Sequence, residues 1–527
     1  MATLVSPGTS VSIIDESFYI PATATTVPLI FIATRADKTQ LDGSTPAAYV
    51  AEHSVVRTIT SLNQSVQGYG VPYFRQDSGL NELHGDCRNE YGLFALNQYL
   101  GIGARAYVVR CNIDLADAPV TTLVGAITGP TGTGNGTMTS LSVNQATAVT
   151  ELWTLVAINA TTFSISGLVT GSTANVTVGV PYNNGKLSFT INAGGTAFVS
   201  SDSFTINVTS SVVNNPLGAN DAAKRVSIVT ALQAEINSNQ DVRSDYFEYN
   251  LILCPGYYET IDELLALSLS INEEAFVIAD TPFDKTPEDT ATWSLTVARQ
   301  RSQNVAYYYP HGLASNLNGR DVFVAASGIA LRTITYSDDV SEVWIAPAGV
   351  RRGVVSGVSQ IGYVSGTLGT ATTFNFTPLN QGQRDVLYEF FKNINPIVYF
   401  PGRGIIVFGQ KTSYSSASAL DRVQVMRMLM KIKRDLRKSS MPFLFEPNDQ
   451  LTRDSIKTMI DGYLNDIMIR RGLYDFIVLC DQSNNTPTRI DRNELWVDIA
   501  LKPVKAIEFI YIPIRVLSTG AAMPGNQ

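Results

Sequence analysis

Histidine and cysteine are scarce in this chain. Three histidines and four cysteines are spread over 527 residues. Zinc needs four ligands in spaced pairs, or three that converge. His53, His84 and His311 stand far apart, and Cys87, Cys111, Cys254 and Cys480 form no Cys-x-x-Cys pair. His84-Gly85-Asp86-Cys87 brings three ligand types together, but without a second cluster it reads as a polar turn. Charge is also thin: 16% of residues carry it, with a net charge of −8. That balance argues against nucleic acid as a partner, because phosphate binding is driven by basic surface. Long apolar runs are missing as well. The 29–32 run is only a short strand, so no membrane insertion is expected. The N-terminus lacks the basic and apolar regions of a secretory signal, and a reducing compartment is expected.

Motifs of catalysis are absent too. Neither a Gly-x-Ser-x-Gly elbow nor a His-Glu-x-x-His helix occurs. The stretch 179–187 imitates a phosphate loop, but its spacing is one residue too long and Leu187 replaces the required Ser or Thr. Asn183-Asn184-Gly185 is better read as a β-turn. The chain is expected to be no enzyme and to need no cofactor or metal.

With 45% hydrophobic residues the chain can bury real cores, and its length implies several domains. Residues 1–115 mix short strands with a helix at 90–100, whose Tyr91, Phe94, Ala95 and Tyr99 share a face. Composition then shifts abruptly. Between Thr121 and Asn215 the only charged residues are Glu151, Lys186 and Asp202. Alternating strands at 153–158, 163–165, 175–180, 187–191 and 204–208 predict a small antiparallel sandwich or barrel. The glycine-rich 125–136 stretch reads as a flexible entry loop. This module is expected to be an outward-facing insertion. From 217 onward, helices near 221–236, 260–269 and 293–303 alternate with strands at 249–253, 275–279 and 305–309, as in an open, partly parallel sheet. Cys254-Pro255-Gly256 and Asp280-Thr281-Pro282 mark strand ends where such sheets bind ligands, though no phosphate loop or nucleophile converges there.

Two helices carry the second half. In the first, 421–438, Val425, Leu429, Ile432 and Leu436 form an apolar stripe, and Arg427, Lys431, Arg434 and Lys438 a basic one nearly opposite. The basic stripe is either a solvated face or a rail for an acidic partner. The second, 453–471, predicts an N-cap at Thr452, a hydrophobic staple between Leu451 and Ile456, and closure at Gly472. Arg470 and Arg471 sit where a helix C-terminus favours cations. Beyond it, Leu495, Val497, Ile499 and Leu501 alternate with Trp496, Asp498 and Ala500, marking a strand with one buried face. A further apolar run begins at Ala506, and Pro513 pushes its end to an edge.

Several stretches together resemble the contractile phage tail sheath family. They are Phe445-Glu446-Pro447-Asn448, 472–481, Asn484-Asn485-Thr486-Pro487, Pro503 with Glu508-Phe509-Ile510, Trp344 to Gly353 with its Ala-Pro-Ala-Gly, and Ser6-Pro7-Gly8 before Val11 and Ile13. The resemblance covers roughly 1–115 and 221–520. It implies an α+β multidomain fold with a sheath domain built from N- and C-terminal parts, an α/β middle domain and an inserted all-β sandwich or barrel module. The expected division is an N-terminal arm (1–20), the N-terminal part of the sheath domain (21–120), the module (121–215), the middle domain (216–345), a tube-proximal C-terminal sheath domain (346–509) and a C-terminal arm (510–527).

The resemblance further implies a structural subunit that polymerises on itself, as stacked and hexameric rings around a tail tube protein. Baseplate and tail terminator proteins are the other expected partners. The tail would be assembled in the host cytoplasm as part of the virion. The extended sheath would be metastable and contract to drive the tube through the host envelope, which needs two packings of one subunit set joined by a persistent hinge. Thr9, Val11, Ile13, Ile510, Ile512, Ile514 and Val516 are the expected inter-subunit arms, since apolar tails that add strands to a neighbour make rings or filaments. Arg427, Lys431, Arg434, Lys438, Arg470 and Arg471 are the expected tube contacts. The alternatives are a phage or cell-surface structural or adhesion protein sharing only the β-module, and an enzyme on a cell-wall polymer, which would need a convergent polar pocket.

Overall fold

In the computed structural model the described residues are 26–511, without 104, 117–119, 146, 214–216, 219, 297–300 and 317. Two compact units result. One joins 1–116 to 225–527, and the other is 117–224.

The larger unit is organised by one eight-stranded sheet. Its order is Val56–Ile59, Ala106–Asp114, Pro28–Thr34, Leu251–Leu253, Phe276–Ala279, Val305–Tyr309, Ile394–Phe400 and Gly404–Val407. The inner pairs are parallel and the two outermost antiparallel. Parallel strands covered on both faces read as unbroken apolar runs. Pro28–Thr34 and Val305–Tyr309 are accordingly buried at every position. Its strands come from both sides of the 117–224 unit. Strands from 28, 251 and 394 lie in this one sheet, so the N-terminal, middle and early C-terminal segments share one core. A linear reading separates them because pairing across hundreds of positions leaves no local mark. The 293–303 helix also moves: it is Pro287–Thr296, opened by Thr286, whose Oγ1 accepts from the Asp289 amide at 3.1 Å.

Residues 117–224 form a β-sandwich. A six-stranded sheet runs in the order Val120–Thr131, Ser203–Val213, Glu151–Asn159, Thr162–Gly167, Gly171–Ser172, with Val176–Thr177 also paired to Thr162–Gly167, and a three-stranded sheet contains Leu187–Asn192 and Thr137–Val143. Trp153, Phe163, Phe189, Phe198 and Phe204 fill the space between. The expected loop at 125–136 is overturned here. Most of it belongs to Val120–Thr131, which pairs with Ser203–Val213 over its length. Glycine hides the strand from a propensity reading, yet a Cβ on Gly125 would lie 2.8 Å from Leu141. The three charges are spent inside the unit. Glu151 accepts from the amides of Val169 and Thr170, Asp202 from those of Thr133, Gly134 and Val199, and Lys186 donates to Thr170 at 2.8 Å. The Asn184 side-chain Oδ1 accepts from the Lys186 and Leu187 amides, so the stretch is a turn.

Candidate assembly interface

The C-terminal part packs around two helices and a strand pair. Helix Val423–Ser440 lies between two cores. Val423, Met426 and Met430 enter that of the large sheet, and Met428 and Ile432 enter a second one. That second core also takes Trp344 and, from helix Gln450–Ile469, Ile456, Ile460, Leu464 and Ile467. Leu473 and Val478 of strand Leu473–Leu479 complete it, with Ile499 and Leu501 of Asp498–Pro503 packed against it. Trp344, at the head of the Ala-Pro-Ala-Gly stretch, is fixed by its indole N–H donating to the Arg470 carbonyl at 3.0 Å.

Helix Gln450–Ile469 begins three residues earlier than expected. Asp449, not Thr452, is the cap, its carboxylate accepting from the Thr452 amide at 2.8 Å. Leu451 is exposed, so the staple with Ile456 does not form. At the other end Arg471 takes the left-handed conformation (φ 67°), and Gly472 donates to Ile467 at 2.8 Å. Gly472 is needed for space instead. A Cβ there would stand 2.5 Å from the Ile467 side chain and 3.1 Å from Trp344.

The basic stripe is the main correction. Arg427 is 3% exposed and forms a two-pronged ion pair with Asp338, which Thr26 also reaches. Arg434 is buried and donates to the Glu274 carbonyl. Lys431 pairs with Asp435 at 3.0 Å and Lys438 with Glu248 at 2.6 Å. Arg437 bridges Glu274 at 2.7 Å and Asp245 at 3.0 Å. The stripe therefore binds the protein's own body, because acids from distant segments converge on it. Of the expected tube contacts, Arg470 and Arg471 stay exposed, and Arg470 reaches Glu342 and Asp466, each at 3.2 Å.

Leu473–Leu479 and Asp498–Pro503 pair antiparallel, and among the described residues neither has a second neighbour. Their inner face carries Phe476, Val478, Ile499 and Leu501. Their outer face carries Ile477, 65% exposed, opposite Ala500. Two-stranded sheets are marginal alone, and open edges template further pairing. The expected strand after Ala506 is absent: Val504 to Tyr511 pairs with no strand, and Ile510 is exposed. Thr9, Val11, Ile13, Ile512, Ile514 and Val516 lie outside the described residues.

The strand ends of the large sheet are closed by internal bonds. The Asp280 carboxylate accepts from the Gly256 amide at 2.9 Å and from the Ser327 amide and hydroxyl at 2.7 and 2.8 Å. His311 Nδ1 accepts from the Ala326 amide at 3.1 Å. These two side chains thus cap helix Ala326–Val340, whose own Ala325 has no capping group. Burial holds the His311 imidazolium down at about 3 and raises the Asp280 carboxyl to about 6. Stability from neutral His311 is full above 6.5 and falls with pH toward 3. The Asp280 carboxyl acts oppositely, since between 6 and 3.8 the folded form keeps a proton that the unfolded chain releases. The two offset in that window. In Asp280→Asn the folding free energy should therefore fall more steeply from pH 6 to 4 than in the wild type, by up to ~1.4 kcal/mol per pH unit. Parallel urea-midpoint profiles for the two proteins would refute this.

His84, Asp86 and Cys87 are buried, and Asp86 pairs with Arg88 at 2.7 Å. Among the described residues no His, Cys, Asp or Glu group is placed to hold a metal, and no helix is long and apolar enough to cross a membrane.

Residues 415–516, which span both helices and the strand pair, match the phage tail sheath C-terminal domain. The chain is 32% identical over 318 residues to the tail sheath protein of Vibrio phage KVP40, across 58% of this chain and 42% of that one. It is 34% identical over 195 residues to that of Enterobacteria phage T4, across 37% and 27%. The chain is thus similar to tail sheath proteins, and its 415–516 segment matches their C-terminal domain. The matches span less than half the length of these curated relatives. In solved structures the fold resembles the sheath of an extracellular contractile injection system, PVC, in its contracted state (TM-score 0.55, 14% identity, 98% of both chains). It also resembles the contracted helical sheath of the anti-feeding prophage (TM-score 0.54, 17% identity, 98% and 99%). The sheath fold is thus mixed α and β in several sheets, as expected.

Proposed function

We propose that this protein is the structural subunit of a contractile virion tail sheath and has no enzymatic activity. It polymerises on itself around a tail tube in an extended, metastable form and contracts to drive the tube through the host envelope. The observation that carries this reading is the C-terminal strand pair, whose two edges are open among the described residues while its inner face seals a filled core. Such a sheet is completed by strands from other copies, with main-chain bonds giving affinity and alternate side chains giving register. The apolar sequences around Val11 and Ile13, and at Ile512, Ile514 and Val516, supply the donors. Donor and acceptor differ, so the contact is heterologous and propagates. Arg470 and Arg471, exposed at the end of helix Gln450–Ile469, would face a tube, and a baseplate and a terminator would bound the polymer.

Electron microscopy of the purified chain tests this. Ordered tubes are expected from the full sequence, and none after deletion of 512–527. Tubes of normal length and order from the truncated chain would overturn strand donation.

A further inference from the structure

After Asp498–Pro503 the chain crosses the body as a strap. Its start is tied twice: the Val504 amide donates to the Gly472 carbonyl at 3.0 Å, and Gln424 donates to the Val504 carbonyl at 3.1 Å. From Lys505 to Tyr511 every residue is exposed except one. Ile507 is 83% and Phe509 68% exposed, yet the side chain of Glu508 between them is only 16% exposed. Its carboxylate receives a two-pronged bond from Arg422, Nε to Oε1 at 2.7 Å and Nη2 to Oε2 at 3.0 Å. Gln410 donates to Oε1 at 3.2 Å and the Tyr388 hydroxyl at 3.4 Å. On either side the strap spans cavities of about 310 Å³, toward Tyr388 and Phe408, and about 530 Å³, toward Ser418 and Asp421. Beyond Val504, one carboxylate pins a segment that otherwise lies over open space.

We infer that Glu508 is the positioning residue of the C-terminal end. Clasped by Arg422, it fixes where and in which direction the backbone leaves its own fold toward a second copy. The inference rests on the strand-donation reading and adds to it a defined anchor. An apolar tail without one would search a wide volume and lose the ordering advantage of a preset exit. The geometry suits the task. The fork of an arginine matches a carboxylate in a single orientation, so the clasp sets direction as well as position. Arg422 stands immediately before helix Val423–Ser440, which two cores hold, so the fixed point is rigid.

Glu508→Gln removes the charge and keeps the shape, and Arg422→Lys keeps the charge and removes the fork. Three quantities decide: hydrogen exchange at 505–511, the critical concentration for tube assembly, and the urea midpoint. In Glu508→Gln, exchange on the strap and the critical concentration should each rise about tenfold, in line with loss of a charged hydrogen bond, with the midpoint unmoved. Arg422→Lys should fall between it and wild type. A critical concentration within about twofold of wild type in Glu508→Gln overturns the inference, twofold being under half of the expected 1.4 kcal/mol on a logarithmic scale. So does a rise matched by an equivalent fall in the midpoint, which would make Glu508 merely structural. The 512–527 deletion separates the two readings. If it assembles normally, strand donation fails. If it does not assemble while Glu508→Gln behaves as wild type, only the clasp fails.

Discussion

Replacing Arg427 with methionine is expected to cost the protein about 3–5 kcal/mol of folding stability, because it leaves a buried carboxylate without its counter-charge. The Asp338 side chain is wholly buried on helix Ala326–Val340, and both its oxygens are engaged by the guanidinium. Without Arg427, among the described residues only the Thr26 hydroxyl remains to it. Methionine fills the space of the arginine stem, so the loss reports charge and not a cavity. Replacing both partners, Arg427→Met with Asp338→Leu, should restore much of the loss, since paired charges repay little beyond their own desolvation. Lys433, on the same helix, is half exposed and 3.8 Å from Glu273. Its change to methionine should cost no more than about 1 kcal/mol. Urea denaturation of the four proteins checks the series. A loss below about 1 kcal/mol in Arg427→Met would mean that the pair is not desolvated and that the basic helix is held less firmly than its geometry indicates.

Trp153→Ala is expected to remove about 3–5 kcal/mol from the 117–224 unit while leaving the rest of the chain unaltered. Trp153 is buried among Leu155, Phe163, Ile165 and Phe204, and it is one of the largest side chains enclosed there. Nothing smaller fills that volume, and a loss of this size is a large share of the 5–15 kcal/mol that stabilises a typical domain. The unit has its own core, and the large unit keeps a separate one. Calorimetry should therefore show two transitions in the wild type, with only one displaced in the variant. A single transition moving as a whole would mean that the two cores unfold together. The 117–224 unit contributes no residue to the proposed strand donation, so tubes should still form from the variant.

Much of the candidate interface is legible in the chain because its causes are local. Ile499 and Leu501 alternate with Asp498 and Ala500, and the strand presents them inward and outward as that period requires. Ile456, Ile460, Leu464 and Ile467 recur at helical spacing and are buried together. Where two local signals compete, the sequence is ambiguous. Asp449 and Thr452 are both good caps, and only the bond from the Thr452 amide to Asp449 picks one. Gly472 looks like a helix-closing glycine, but Arg471 takes the left-handed conformation and Gly472 yields room to Trp344. Glu508 stands in plain view among the family-like residues, yet no local pattern shows that Arg422, 86 positions away, grips it.

The amino-acid order by itself determined the periodic elements, the composition boundary around the β-module, the lack of catalytic and metal-binding motifs, and the resemblance to tail sheath proteins, through motifs in a fixed succession. Each of these depends on neighbours within a few positions, where backbone geometry and hydrophobic period act directly. Only the tertiary structure decided the fate of the charges. Arg427 and Arg437 meet acids 89, 163 and 192 positions away, and these pairs turn an apparent docking rail into an internal seam. Electrostatic pairing depends on distance in space, and that distance exists only after the eight-stranded sheet has brought remote segments side by side.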